Sequence, residues 1–220
     1  MIFELDNVEL YFKNKRILNG IYLKAETGKV TGILGSNGSG KSCLLDIFFG
    51  NLKPKYHLVR VDNIPYLRPL YTSEKLSYLP QYHLMPNSMK VQAGFKHYQV
   101  DWTAFINEFN GFAKFANHRF KELSGGERRL IEIYLVLKKS SELILLDEPF
   151  SHLEPLHLET ISNLIKEEKK VKAIVISDHR YQSIINLSDT IYLLKNGCTK
   201  KINELTELED YRYLSEGQLT

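Results

Sequence analysis

The run Gly35-Ser36-Asn37-Gly38-Ser39-Gly40-Lys41-Ser42 has the residue types and spacing to hold a polyphosphate. A close grip on phosphate oxygens needs consecutive backbone N–H groups, with glycine wherever a side chain has no room. When a helix follows such a loop, its N-terminus turns positive partial charge toward the anion. Lys41 then reaches the β and γ phosphates, and Ser42 offers an oxygen to Mg²⁺. The candidate nucleotide-contacting set is therefore Gly35, Ser36, Asn37, Gly38, Ser39, Gly40, Lys41 and Ser42, with Cys43 at the helix start. Far downstream, Asp147 and Glu148 follow the continuous apolar run Leu143 to Leu146. A carboxylate at the C-terminal end of a parallel strand lies where open α/β sheets bind ligands. Asp147 there suits Mg²⁺, held directly or through water, and Glu148 suits a general base that polarises the attacking water. Alone, each motif also reads as an ordinary turn; together they describe one hydrolytic site.

Such a site requires strand, loop and helix in that order, and the periodicity supplies them. Val30 to Leu34 is a short apolar strand entering the loop, and Cys43, Leu44, Leu45, Ile47, Phe48 and Phe49 read as a buried helix stopped by Gly50. Upstream, Phe3, Leu5, Val8 and Leu10 alternate as in one or two half-buried strands. Ile21 to Ala25 is another, closed by Thr27-Gly28-Lys29. Leu58 to Asp62 and Leu76 to Leu79 are further strands. From about Leu84 to Leu137 helical spacing predominates: Trp102, Phe105, Ile106 and Phe109 fall at i, i+3, i+4 and i+7. Glu127 to Lys139 places Leu130, Ile133, Tyr134 and Leu137 on one face. We expect residues 85–137 to be a helical subdomain inserted into an α/β core, with 1–220 forming one domain. Strands resume at Leu143 to Leu146, Ala173 to Ile176 and Thr190 to Leu194, with helices over Leu156 to Lys169 and Tyr181 to Leu187. The tail from Ile202 is polar and weakly helical.

Composition removes other classes. The chain has 220 residues, 43% hydrophobic and 25% charged, ordinary values for a folded soluble domain. Its 29 Lys+Arg against 26 Asp+Glu are scattered without a basic stripe, so no nucleic-acid partner is expected. Cys43 and Cys198 fit no metal-ligand spacing and read as reduced thiols. The N-terminus lacks a signal-peptide pattern. No stretch approaches the ~20 apolar residues needed to cross a bilayer. A cytoplasmic protein is expected, any membrane role passing through a partner.

Leu123-Ser124-Gly125-Gly126-Glu127, between the glycine loop and the acidic strand, resembles the signature motif of ABC-type ATPases, the ATP-binding-cassette subunits found mostly in membrane transporters. With Gln81, Asp147-Glu148 and His179 in the family's order, the resemblance covers nearly the whole chain. It implies an α/β fold: a P-loop NTPase core with an N-terminal antiparallel β-subdomain and an inserted helical subdomain. It implies Phe12 as the aromatic stacked on adenine, with Tyr11 as the fallback. Gln81 looks like the glutamine that contacts Mg²⁺ and the attacking water, and His179 resembles the switch histidine of the γ-phosphate. Ser124, Gly125 and Gly126 would bind the γ-phosphate held by another cassette. Ser-Gly-Gly before a helix is in itself a second phosphate cradle. Two phosphate surfaces on one chain are used together if two chains lie head to tail.

The resemblance thus implies Glu148, His179, Gln81 and Lys41 as catalytic residues, Ser42, Gln81 and Asp147 as metal-binding residues, and ATP and Mg²⁺ as ligands. It implies a homodimer or a paired ATPase subunit, together with an integral membrane transporter subunit at the cytoplasmic face of the inner membrane. That subunit is expected to dock near Gln81 and the segment Tyr82 to Met89, rich in exposed-type aromatics and methionines. The alternative is a soluble ABC ATPase of a non-transport process such as iron–sulfur cluster assembly. Two departures stand out: Ser151-His152-Leu153-Glu154 replaces the common Ser-Ala-Leu-Asp, and Glu127 replaces the commoner glutamine. With Lys41, Asp147, Glu148 and His179 present, a competent Mg²⁺-dependent ATPase is expected.

Overall fold

The computed structural model describes residues 1–215 and 217. The alternating N-terminal residues form β1 (Ile2–Phe12) and β2 (Lys15–Glu26), paired antiparallel. β3 (Val30–Leu34) is buried throughout and leads through the glycine loop into α1 (Lys41–Phe49). Two more strands, β4 (Tyr56–Val61) and β5 (Ile64–Pro65), complete a four-stranded sheet in the order β2-β1-β4-β5.

β6 (Leu76–Leu79) returns to the interior. The segment after it holds α2 (Val91–Tyr98), α3 (Trp102–Glu108), two 3₁₀ stretches and α4 (Gly125–Lys138). The chain then alternates β7 (Leu143–Asp147), α5 (Pro155–Glu168), β8 (Ala173–Ser177), α6 (Tyr181–Leu187) and β9 (Thr190–Lys195). β10 (Cys198–Ile202) and the single-turn α7 (Glu207–Asp210) follow. The larger sheet runs β10-β9-β3-β8-β7-β6, parallel except for β10. β3 is central, so the loop that follows it opens at the C-terminal edge of the sheet, where β7 and β8 also deliver their last residues.

The period of two along each parallel strand divides the core. Leu143, Leu145, Val175 and Leu194 join Leu44, Leu45 and Phe48 of α1 and Phe3, Leu5 and Leu23 of the antiparallel sheet. Ile144, Leu146, Ile176 and Leu193 face the other way, onto α4, α5, α6 and the aromatic middle segment. A sheet covered on both faces accounts for the unbroken apolar runs of β7 and β8.

Some expectations need correction. Every residue of α4 from Arg128 to Leu137 is buried, so this helix is enclosed on all sides instead of presenting one apolar face. In α3, Phe105 is buried and the helix stops at Glu108; Phe109 lies beyond it, also buried. β10 has no counterpart among the expected strands, since Thr199, Lys200 and Lys201 are polar. Its signal was Asn196-Gly197, both at positive φ, the two-residue turn that closes a hairpin. Cys43 and Cys198 are free. Among the described residues no helix is long and apolar enough to cross a membrane.

Candidate nucleotide-binding site

The loop between β3 and α1 closes on itself through the Ser39 N–H, which donates to the Ser36 carbonyl at 3.1 Å. Gly40, at φ 106, caps α1; an added Cβ would also lie 3.0 Å from the Leu18 side chain. Glycine is therefore favoured by the backbone conformation, with the Leu18 contact leaving little room beside it. Lys41 is only 5% exposed, and its Nζ donates to the carbonyls of Gly35 at 2.7 Å and Ser36 at 3.2 Å. Burial draws its pKa down, opposed by the charges of Glu148, Asp147 and Asp178.

β7 carries Asp147 into the same region, 1% exposed. Its Oδ1 accepts from the Ser177 hydroxyl at 2.6 Å, while Oδ2 is buried without a partner among the described residues. Burial pushes the Asp147 carboxyl up, and the nearby hydroxyls of Ser177 and Ser42 pull it back without restoring the ordinary value. An orphaned carboxylate oxygen beside the Ser42 hydroxyl is an oxygen-only donor pair, matching Mg²⁺. Among the described residues no cluster of three or more His, Cys, Asp or Glu side chains forms a complete metal cage. Mg²⁺ usually takes one or two protein ligands and completes its shell with phosphate and water.

Glu148 adopts φ 48, unusual for a non-glycine residue, with its N–H donating to the Ser177 carbonyl at 2.7 Å. The turn presents its carboxylate to Gln81 and His179. Oε2 accepts from Gln81 Nε2 at 3.1 Å and from the Ser151 hydroxyl at 3.4 Å, and lies 3.7 Å from His179 Nδ1. His179 is also 3.4 Å from Asp178 Oδ1. Asp178, fully buried, accepts from the Phe150 N–H at 3.1 Å and the Arg180 N–H at 2.9 Å, fixing the start of the histidine turn.

A cavity of about 670 Å³ is lined by Phe12, Ile17, Asn37, Gly38, Gly40, Lys41, Ser42, Cys43, Gln81, Glu148 and His179. Its size is in the range of small-molecule sites. Gly35, Ser36 and Ser39 belong to the loop without lining the cavity, and Asp147 does not line it either. Phe12 stands at the wall, 49% exposed. Tyr11 does not line the cavity: Lys55 and Arg16 lie over its ring, 5.5 and 5.8 Å from the centroid, and its hydroxyl reaches Glu9.

Ser124, Gly125 and Gly126 are not on this cavity. Ser124 caps α4 through a reciprocal box: its Oγ accepts from the Glu127 N–H at 3.2 Å, and its N–H donates to Glu127 Oε2 at 2.8 Å. Either glutamate or glutamine makes this box, which gives Glu127 a local reason. Gly126 has no room for a side chain; a Cβ would sit 2.7 Å from the His152 carbonyl oxygen. Gly125 lines a smaller cavity of about 250 Å³ with Gln81, Glu148 and His152 among its walls. Glu154 is exposed and ends the following loop as the N-cap position of α5 without a side-chain capping bond.

The segment after Gln81 differs from the expected apolar docking strip. Tyr82 and His83 are exposed, but Met85 is in the core, 4% exposed, and Met89 is half-buried. A buried cluster with no local sequence motif holds it. Glu132, fully buried, accepts at Oε1 from the N–H groups of Leu84 and Met85, both at 3.0 Å, and from Arg128 Nε at 3.1 Å. Arg128 also donates to Asn87 Oδ1 at 2.7 Å and to the Met85 carbonyl. The available signal was charge at Arg128, Arg129 and Glu132 within the otherwise apolar stretch Arg128 to Leu137.

Residues 18–151 match the family described as ABC transporter. An uncharacterised ABC transporter ATP-binding protein of Methanocaldococcus jannaschii is 30% identical over 213 residues, covering 90% of this chain and 84% of that protein. The nickel import ATP-binding protein NikO of Rhodobacter capsulatus is 27% identical, covering 89% of this chain and 86% of its own length. A solved ATP-binding subunit of an ABC transporter superposes with a TM-score of 0.84 at 17% identity, covering 100% of this chain and 96% of the other, a likeness of fold. The chain belongs to the ABC transporter family. It is an ATP-binding subunit of that family, and it hydrolyses ATP to drive transport; the soluble-assembly alternative is not favoured.

Proposed function

We propose that the 670 Å³ cavity binds ATP, that its phosphates are completed by the Ser124-Gly125-Gly126 turn of a second cassette, and that the pair works on an integral membrane transporter subunit. The observation that carries this reading is the placement of Lys41, Ser42, Gln81, Glu148 and His179 on one cavity that Ser124, Gly125 and Gly126 do not line, Gly125 facing a separate cavity next to Gln81 and Glu148. A head-to-tail pair, of identical or related cassettes, brings the two surfaces together twice.

In this reading Phe12 stacks on the base. The loop from Gly35 to Ser42, continued by Cys43, turns backbone N–H groups onto the phosphates, and Lys41 exchanges its loop carbonyl contacts for β and γ oxygens. Ser42 and Asp147, with Gln81, would hold Mg²⁺, whose chemistry is to neutralise charge on the phosphate oxygens. Glu148 accepts the proton of the attacking water, oriented by Gln81 from the side of the same carboxylate. His179 donates to a γ-phosphoryl oxygen as charge develops. Residues 85–137 act as the inserted subdomain that carries the signature turn toward the other cassette, within a single domain spanning 1–220. The exposed Tyr82 and His83 face the membrane partner, and the chain works at the cytoplasmic face of the inner membrane.

The experiment is size-exclusion chromatography of Glu148→Gln with ATP and Mg²⁺, alone and with the partner cassette if the pair is heteromeric. The variant should bind ATP, fail to discharge it and elute as a dimer. A persistent monomer carrying ATP under both conditions contradicts the head-to-tail site.

A further inference from the structure

Arg129 is 4% exposed, and all of its hydrogen bonds go to main-chain carbonyls at the hydrolytic centre. One terminal nitrogen donates to the Pro80 carbonyl at 2.7 Å. The other donates to the carbonyls of Asp147 at 2.6 Å and Glu148 at 3.0 Å. These carbonyls belong to the peptide bond entering Gln81 and to the peptide bonds entering and leaving Glu148. The guanidinium therefore grips the backbone on which both water-handling side chains are mounted, and it does so from the first turns of the signature helix.

The grip acts where the backbone is least favourable. Glu148 sits at φ 48, and a left-handed conformation in a non-glycine residue persists only when its surroundings over-determine it. The Ser177 carbonyl holds the Glu148 N–H from one side, and Arg129 holds the two flanking carbonyls from the other. A planar fork with five donors spans both β6 and β7 ends, which a lysine ammonium on a flexible stem does less well. An apolar side chain would fill the space without the desolvation penalty of a buried cation. The cation is thus explained by what it holds.

We propose that Arg129 is a positioning residue for hydrolysis: it sets Gln81 and Glu148 together, as one unit, relative to the signature helix of the same chain. This rests on the assignment of Glu148 and Gln81 as the residues that handle the attacking water. Displacing such groups by about 1 Å costs on the order of 100-fold in rate while leaving substrate binding to other residues.

The test is steady-state Mg²⁺-dependent ATP turnover by the full chain, across ATP concentrations, for wild type, Arg129→Gln and Arg129→Lys, with the membrane partner if the isolated chain is silent. Arg129→Gln should lower kcat by roughly 10- to 100-fold with KM for ATP within about threefold of wild type. Arg129→Lys, which keeps the charge and part of the bonding, should fall between the two. A kcat within about twofold of wild type in both variants overturns the proposal, as does a KM that rises by the factor expected of kcat. If Arg129→Gln does not fold, Arg129→Lys at matched melting temperature decides by the same criteria. A wild-type protein without ATP turnover even with its partner overturns the catalytic assignment itself; an active wild type with active variants overturns only the role of Arg129.

Discussion

Removing the Glu132 carboxylate by Glu132→Ala strips its partners from a fully buried group. The amides of Leu84 and Met85 lose an acceptor at 3.0 Å, and Arg128 loses one at 3.1 Å. A buried amide left unpaired costs about 1–3 kcal/mol, so two give about 2–6 kcal/mol. Breaking a buried ion pair by deleting one member independently suggests about 3–5 kcal/mol. Arg128 keeps Asn87 and the Met85 carbonyl, which argues for the lower half of these ranges. We expect a loss of about 3 kcal/mol, large against the ~5–15 kcal/mol by which domains are stable. Glu132→Gln retains an acceptor oxygen and should lose about half as much. Urea unfolding of the three proteins measures this directly, as a shift in midpoint at constant m. An alanine variant within about 1 kcal/mol of wild type, or less destabilised than the glutamine variant, refutes the role assigned to Glu132.

The remaining predictions concern charge and recognition. Burial pushes the Glu168 carboxyl up, but hydrogen bonds from Lys138 and Lys172 outweigh it and hold it below the ordinary glutamate range. Glu168→Gln should therefore cost about 1.5–3 kcal/mol at pH 7. A depressed carboxylate stabilises the fold above its unfolded pKa, so the difference should vanish as pH falls from about 4.5 through the lower folded value in pH-dependent denaturation. For Asp147 the sign is opposite, because burial holds its pKa above the ordinary value. Asp147→Asn should raise the melting temperature of the nucleotide-free chain at pH 7, by less as pH falls through the folded value, while abolishing Mg²⁺-dependent turnover. An unchanged Mg²⁺ response would remove Asp147 from the metal site. Phe12→Ala should weaken ATP binding roughly tenfold in fluorescence titration and Tyr11→Ala by less than about twofold, the stacking difference expected if Phe12 meets the base.

Much of this was legible because local chemistry and topology coincide. A glycine loop leaving a buried strand and entering a helix defines the phosphate grip in consecutive residues, and an apolar run ending in Asp147-Glu148 defines the edge of the same sheet. Less visible were groups whose partners lie far along the chain. Arg129 bonds across 49 positions to Pro80, and Glu132 across 48 to Leu84, so their sequence trace is only charge within the buried stretch of α4. The aromatic strip after Gln81 misled because burial of Met85 depends on contacts with the middle segment. β10 was missed through its polar composition although its Asn-Gly turn was present.

The role of Glu148 in hydrolysis is tested most directly by Mg²⁺-dependent phosphate release from ATP by the full chain with its membrane partner, comparing wild type with Glu148→Gln at saturating ATP. Wild type should turn over ATP until Mg²⁺ is chelated, and the variant should fall by about 100-fold or more with ATP still bound. A variant that retains half the wild-type rate contradicts that role.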